Sequence, residues 1–107
     1  MQSEWLQRTE LLVKEEGIER LQSANILIVG LGGVGSFAAE FLVRSGIGNL
    51  TIVDGDTVDI TNINRQLPAL NSTIGKNKTD VVAERILDIN PEINLKKINE
   101  FLEPERM

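Results

Sequence analysis

The sequence predicts an α/β fold: a Rossmann-like half of a parallel sheet, in the order β-α-β-α-β, behind an N-terminal helical arm. Two observations carry this prediction. A continuous apolar run breaks into the glycine-rich turn Gly30-Leu31-Gly32-Gly33-Val34-Gly35, and short apolar runs then alternate with segments of helical periodicity. Strands that alternate with helices form parallel sheets with right-handed crossovers. We therefore divide the 107 residues into an arm, residues 1–24, and an α/β unit, residues 25–107.

The first half of the α/β unit contains two predicted strands and the helix between them. Apolar residues run without interruption through 25–30, which is typical of a strand buried on both faces. Within 33–45 the apolar residues recur at helical spacing, and two glycines follow as the helix end. A second short strand is predicted at 50–53, and Asp54-Gly55-Asp56 closes it as a turn.

The second half begins with a polar connection over 57–74, which is longer than a link between a strand and a helix needs. Long ordered loops are often functional. A further helix is predicted over 76–89, followed by a third strand over 93–99, because Asn90-Pro91 stops the helix between them. In the arm we expect one or two short helices, with Trp5 as a packing anchor.

The predicted sheet leaves one edge without a neighbour. A doubly wound sheet normally places a fourth strand beside the first. Without that strand, the apolar run 25–30 has a bare edge, which native proteins avoid. We therefore expect this chain to be part of a longer protein, or its edge to be covered by a partner.

Composition limits the chemistry of the chain. The net charge of −5 argues against a general nucleic-acid or membrane surface, and no apolar run approaches the length of a membrane span. The sequence has no cysteine, so it contains no disulfide or thiolate site, and it has no histidine, the commonest general base. A cysteine-free chain is consistent with a cytoplasmic protein without membrane insertion.

The glycine turn matches the pattern G-x-G-x-x-G, with a strand before it and a helix after it. Glycine permits close approach of the backbone to a phosphate, and the free N–H groups of the following helix attract an anion. Gly30, Gly32, Gly33 and Gly35 are therefore candidate nucleotide-binding residues. The alternative is a structural turn that binds nothing.

Asp54 ends the second strand, about 20 residues beyond the motif, where a carboxylate can accept the hydroxyls of a ribose. The same aspartate also fits a turn, because Asp-Gly is strong turn chemistry. Since NAD and ATP both contain an adenosine ribose, Asp54 does not distinguish them. Asp56 fits a turn or capping role better than a ligand role.

Arg65 and Lys78 are the residues that distinguish these ligands. If the polar connection folds back over the glycine turn, both cations reach phosphates, Arg as a planar fork and Lys as a point charge. Two extra cations fit a triphosphate better than the pyrophosphate of a dinucleotide. Taken singly, each is an ordinary surface cation. Asn62 and Asn64 either cap the next segment or bind the nucleotide.

Together these residues resemble the ThiF/MoeB/HesA family of adenylating enzymes, which are related to ubiquitin-activating enzymes. The resemblance extends from about residue 18 to the end and rests on motifs in the family's order and spacing: Gly30-Leu31-Gly32-Gly33-Val34-Gly35-Ser36, the segment 46–56, Thr61-Asn62-Ile63-Asn64-Arg65-Gln66, Gly75-Lys76-Asn77-Lys78 and Ile89-Asn90-Pro91. Within the family, segments 33–40 and 83–91 are most similar to the tRNA threonylcarbamoyladenosine dehydratase branch.

The resemblance implies ATP-dependent activation of a carboxylate as an acyl-adenylate, with Mg²⁺ accompanying the ATP. It implies that Gly33 lies against the nucleotide and that Asp54 holds the ribose. Asn62 and Arg65 are expected along the phosphates, and Lys78 at the α-phosphate. Arg65 and Lys78 are thus the implied catalytic residues, acting through fixed positive charge where negative charge develops.

The resemblance also implies partners. A homodimer is expected, because the family supplies an arginine from the arm to the partner subunit's site, and Arg8 is the nearest match. In the dehydratase branch the substrate is the threonylcarbamoyl group on tRNA, which then cyclises. In the sulfur-carrier branches it is the C-terminal Gly-Gly of a small ubiquitin-like protein.

The family's metal-side aspartate, catalytic cysteine and zinc ligands fall beyond residue 107. We therefore expect no metal ligands here, and residues 25–107 to form the N-terminal half of an adenylation domain that is inactive alone. The alternatives from other classes are an NAD-dependent oxidoreductase and a non-catalytic Rossmann-like module.

Overall fold

Three parallel strands form a single sheet in the order β1-β2-β3 in the computed structural model, which describes residues 4–101. The strands are β1 (Asn25–Val29), β2 (Asn49–Val53) and β3 (Asn94–Ile98). Their register pairs Val29 with Val53 and Val53 with Ile98. The predicted β-α-β-α-β half with its N-terminal helical arm is confirmed.

Helices follow each of the first two strands. They are α2 (Gly33–Arg44) after β1 and α3 (Lys78–Ile89) after β2, and α1 (Gln7–Ser23) forms the arm. Short 3₁₀ helices cover Glu4–Leu6 and Ile60–Asn62. Within residues 4–101, no helix combines the length and apolarity that crossing a bilayer requires. The predicted boundaries differ from these by one or two residues, as expected for frayed ends.

The core lies between one face of the sheet and the two helices α2 and α3. Ile26 and Ile28 of β1 pack against this cluster from the sheet edge. Its buried members come from the glycine turn, α2, β2, α3 and the segment before β3: Leu31, Ala39, Val43, Leu50, Ile52, Val82, Ala83, Ile86 and Ile93.

The other face of β1 is uncovered in the described residues. The exposed fractions of Leu27 and Val29 are 59 % and 45 %. The prediction that this strand is buried on both faces is therefore wrong for residues 4–101, because nothing in them packs over that face. The prediction of a bare edge is confirmed, since β1 lies at the end of the strand order.

Small residues bring α2 close to the sheet. Its buried positions are Ser36, Ala39 and Val43, whereas Phe37 and Phe41 lie largely exposed on the outer side. The apolar periodicity of this segment predicts the helix correctly, but its largest side chains are not the ones in the core. Close helix–sheet packing requires side chains that are small, and this explains the difference.

The arm is anchored at two points and kinked between them. Leu6 is 1 % exposed and packs on the bare Cα of Gly46, and Ile18 is fully buried further along α1. At Lys14 the backbone leaves the helical region (φ 63°, ψ 173°). The prediction that Trp5 is the packing anchor is wrong, because Trp5 is 42 % exposed. The 3₁₀ turn places Leu6, its neighbour, inward instead.

Glu40 ties α2 to α3 through an ion-pair network. Its carboxylate, 12 % exposed, accepts hydrogen bonds from Arg85 of α3 and from Arg44 of its own helix, the latter at 3.3 Å. The hydrogen bond from Arg85 is the main cause that holds the pKa of Glu40 below its usual value, and Arg44 adds to it. A carboxyl group with a lowered pKa in the folded state stabilises the fold when it is ionised.

We predict that Glu40→Gln lowers the free energy of unfolding by about 1 kcal/mol at neutral pH. Because the folded-state pKa of Glu40 lies below the usual value of 4.5, its contribution is complete above that value and is lost as the pH falls through the lowered pKa. Urea unfolding at pH 7 and pH 3 tests this, with Glu84→Gln as the control on the exposed side of α3. Equal losses in both variants at pH 7 would contradict the role of Glu40.

Candidate nucleotide-binding site

The glycine turn connects the end of β1 to the start of α2. Gly30 adopts a φ of +90°, which favours glycine, and its N–H donates to the Val53 carbonyl oxygen at 2.8 Å. A Cβ on Gly35 would lie 1.8 Å from the Gly30 carbonyl oxygen. The turn therefore folds so tightly on the first turn of α2 that position 35 accepts only glycine.

Asp54 joins this turn to the end of β2. One carboxylate oxygen accepts the Leu31 N–H at 2.7 Å, and the other accepts the Asp56 N–H at 2.7 Å. An ionised carboxylate has about four acceptor positions, so each oxygen keeps capacity for another donor. Asp54 thus combines the turn role with the acceptor capacity that ribose binding needs.

A backbone register holds Asp56 against Lys78. The Lys78 N–H donates to the Asp56 carbonyl oxygen at 3.0 Å, and Thr57 forms an antiparallel bridge with Asn77. The side chains of the pair also meet, with Lys78 Nζ 3.6 Å from a carboxylate oxygen of Asp56. The side chain of Lys78 is 5 % exposed, so it lies almost entirely within the protein. The chain Leu31–Asp54–Asp56–Lys78 links the glycine turn to the buried cation.

The polar connection folds back over the glycine turn, as the sequence predicts. The Arg65 carbonyl oxygen lies 3.8 Å, and Gln66 Nε2 3.5 Å, from the Cβ positions that would be built on Gly33 and Gly32. A capping box fixes this segment, because the Asp59 side chain accepts the Thr61 N–H while the buried Asn62 side chain accepts the Asp59 N–H. Asn62 therefore performs the capping role.

The backbone of Arg65 lies over the glycine turn, but its guanidinium points away from that turn. It is exposed and donates to the Thr61 carbonyl oxygen at 3.1 Å and to Asn64 at 3.0 Å. Of the two predicted cations, Lys78 is enclosed beside the turn at the end of β2, and Arg65 points along its own segment. Its side chain has to rotate before it can contact a ligand on the glycine turn.

Arg8 lies apart from this group. It is an exposed residue of α1, and that arm packs near Gly46 and Gly48, which precede β2. The glycine turn and Asp54 instead follow the carboxyl ends of β1 and β2. Within one chain the two are therefore at opposite ends of the strands, and a role for Arg8 at a partner's site stays a prediction.

The electrostatics of the connection favour ionised carboxylates. Hydrogen bonds from the Thr61 hydroxyl and backbone N–H are the main causes that lower the pKa of Asp59, and the charge of Lys78 adds to them. Asp59 is thus a second carboxylate in the field of the buried ammonium.

Two features of the site were not predicted. The sequence predicts a turn or capping role for Asp56, and the structure also makes it the ion partner of Lys78. Gln66 has a buried side-chain oxygen without a hydrogen-bond partner in the described residues. No pattern in the sequence indicates the first, because it depends on the register between segments 56–58 and 75–78. Gln66 belongs to the Thr61–Gln66 motif. That motif indicates that the segment is functional, but it does not predict the orientation of the Gln66 side chain.

Within residues 4–101, no group of acidic side chains is arranged to hold a metal ion. A cavity of about 660 Å³ lies between α2, α3 and the segment 67–76, and no residue of the glycine turn lines it.

Comparison with known proteins places this geometry in context. The sequence model of the ThiF family matches residues 6–107. The chain is similar to the tRNA threonylcarbamoyladenosine dehydratase of Bacillus subtilis, with 51 % identity over 98 residues, 92 % of this chain and 39 % of that protein. It is also similar to the molybdopterin-synthase adenylyltransferase of Salmonella typhimurium, with 38 % identity over 92 residues, 86 % of this chain and 37 % of that protein.

A solved structure shares the fold. The E. coli tRNA N6-threonylcarbamoyladenosine dehydratase TcdA, crystallised in complex with ATP, superposes with a TM-score of 0.90 at 44 % identity, over 97 % of this chain and 44 % of that one. The chain thus spans about two fifths of the length of the relatives it matches.

We predict that Gly35→Ala destabilises the fold by about 3 kcal/mol, because the new methyl group meets the Gly30 carbonyl at a distance no Cβ tolerates. Gly33→Ala is the matched control within the same motif, since the nearest atom to its Cβ is 3.8 Å away. Chemical denaturation of both variants measures the difference. Similar free energies of unfolding for the two variants would contradict this packing.

Proposed function

This chain belongs to the ThiF family, and on that premise we propose that it is the nucleotide-binding part of an ATP-dependent adenylating enzyme. The observation that carries the proposal is the continuous link from the glycine turn through Asp54 to the buried ammonium of Lys78. A buried lysine beside a glycine turn suits an anionic ligand better than a neutral one. The adenylyltransferases among the relatives support ATP over NAD.

In the proposed reaction a substrate carboxylate attacks the α-phosphate of ATP, giving an acyl-adenylate and pyrophosphate. The free N–H groups at the start of α2, together with the close backbone approach at Gly33, hold the phosphates. Asp54 orients the ribose through the acceptor capacity that its two backbone hydrogen bonds leave free. Lys78 opposes the negative charge that develops at the α-phosphate, without any reorganisation of water around it.

Arg65 and Asn62 are proposed to line the phosphates. Their segment already lies over the glycine turn through the Arg65 carbonyl. Only the guanidinium has to rotate, which exchanges two hydrogen bonds with its own segment for bonds to phosphate oxygens. Because a side-chain rotation is fast and inexpensive, Arg65 can respond to the nucleotide.

For the substrate, we propose the threonylcarbamoyl group of modified tRNA, followed by its cyclisation. The 51 % identity to a tRNA threonylcarbamoyladenosine dehydratase supports this over the 38 % identity to a molybdopterin-synthase adenylyltransferase. The second candidate, adenylation of a ubiquitin-like sulfur carrier, rests on that lower identity. Such a tRNA substrate would place the enzyme in the cytoplasm.

A homodimer completes the proposal. Arg8 lies at the opposite end of the strands from the glycine turn of its own chain, so it can serve a nucleotide only in a second subunit. Mg²⁺ is proposed to arrive with ATP and to be held mainly by the phosphates, as is usual for this ion. The described residues contribute no cluster of ligands to it.

We predict that Lys78→Met and Arg65→Ala each reduce kcat/KM for ATP about 100-fold in the full-length protein, because each removes fixed positive charge from the phosphates. ATP–pyrophosphate exchange and tRNA-dependent nucleotide release are the assays. Lys96→Ala, which removes an exposed lysine from β3, is the control. Full activity of both site variants, with folding intact by circular dichroism, would remove the role assigned to these cations.

The substrate is tested by comparing two carboxylates as acceptors of the adenylyl group of ATP. We expect AMP release from the full-length protein to depend on tRNA that carries threonylcarbamoyladenosine, and not on a ubiquitin-like protein ending in Gly-Gly. Unmodified tRNA is the matched control. Release that depends on the Gly-Gly protein instead would assign the chain to the sulfur-carrier branch.

A further inference from the structure

The two side chains of the Asp56–Lys78 ion pair differ greatly in their exposure to solvent. The side chain of Lys78 is 5 % exposed, whereas that of Asp56 is 59 % exposed. Their charged atoms are 3.6 Å apart, longer than the roughly 2.8 Å of a good charge-assisted hydrogen bond. Within residues 4–101, the ammonium has no closer ion partner. The buried cation is thus neutralised by a carboxylate that is well hydrated and imperfectly placed.

The backbone holds Asp56 and Lys78 side by side. The Lys78 N–H donates to the Asp56 carbonyl oxygen, and the Val58 N–H donates to the Lys76 carbonyl oxygen, so the two segments are paired on both sides of the Thr57–Asn77 bridge. The Asp54 carboxylate also accepts the Asp56 N–H. Because its backbone is fixed at these points, Asp56 stays beside Lys78.

The ammonium needs a counter-ion where it lies. Lys78 is the first residue of α3, and the partial positive charge of a helix N-terminus disfavours a cation there. Asp56 pairs with it, and Asp59 lies in its field. Loss of the nearer carboxylate would leave a buried charge without a partner.

We propose that Asp56 is a positioning residue: an exchangeable counter-ion that holds Lys78 in place until a phosphate group of the nucleotide replaces it. The proposal rests on the proposed function, since it assumes that the site binds ATP. The triphosphate of ATP brings more negative charge to the ammonium than the single carboxylate of Asp56 does. The carboxylate therefore stabilises the empty site and opposes the negatively charged ligand.

The test compares Asp56→Asn with Asp80→Asn in the full-length protein. Both changes remove one negative charge, but Asp80 pairs with Lys97 on the surface, and both of those side chains are about half exposed. We expect Asp56→Asn to lower the melting temperature of the ATP-free protein by about 4 °C, and Asp80→Asn to lower it by less than about 2 °C. We also expect Asp56→Asn to bind ATP about three- to tenfold more tightly by calorimetry, because a like charge near the phosphates is gone.

Adenosine separates this effect from a merely structural one. It carries no phosphate, so its affinity should be the same in wild type and Asp56→Asn. A second variant tests the stranded charge: Lys78→Met in the Asp56→Asn background should restore the melting temperature to that of Lys78→Met alone. A purely structural role for Asp56 would change adenosine and ATP binding together, and it would leave the double variant unrestored.

Each outcome decides the proposal. Equal or weaker ATP binding by Asp56→Asn, or a melting temperature equal to that of Asp80→Asn, overturns the exchange of counter-ions and leaves the proposed function intact. Failure of the wild-type protein to bind ATP overturns the proposed function, and this inference with it. Tighter binding of ATP but not of adenosine, together with restoration in the double variant, supports the exchange.

Discussion

The Asp54 carboxylate is the interaction on which the rest of this structure depends. It accepts one N–H from the glycine turn after β1 and one from the turn after β2. Two loops that follow different strands are thereby held at a fixed separation, and the segment that carries Asp56 is directed toward Lys78. Both hydrogen bonds are accepted by a carboxylate, so each stabilises the fold more than a hydrogen bond between neutral groups. Ribose binding would add donors to a carboxylate that is already in position.

Much of this fold follows from local pattern. Continuous apolar runs and helical periodicity predict the three strands and the helices α2 and α3, because parallel sheets need crossovers and those crossovers here are helical. The bare edge of β1 also follows, since the strand order in this topology gives the first strand a neighbour on one side only. The glycine turn was predicted from residue spacing alone, and its close contact at Gly35 gives the physical reason for that spacing.

What could not be predicted depends on side-chain direction and on register. The apolar periodicity predicts the helix α2 correctly. Phe37 and Phe41 nevertheless point outward, because only small side chains fit between α2 and the sheet. Trp5 is the largest side chain of the arm, but Leu6 fills the space over Gly46. The connection does fold over the glycine turn, while the guanidinium of Arg65 turns away from it. These outcomes are set by tertiary contacts that no short window of sequence contains.

The parallel arrangement of the strands has a consequence for how such a protein can change. Anchors of the arm lie at the end where strands begin, at Gly46 and Gly48, whereas the charged and glycine residues lie where β1 and β2 finish. The contacts that anchor the arm and the residues of the candidate site therefore lie at opposite ends of the sheet. Substitutions in the arm change the stability of the fold. The loops that follow β1 and β2 can vary in sequence without affecting the anchors of the arm.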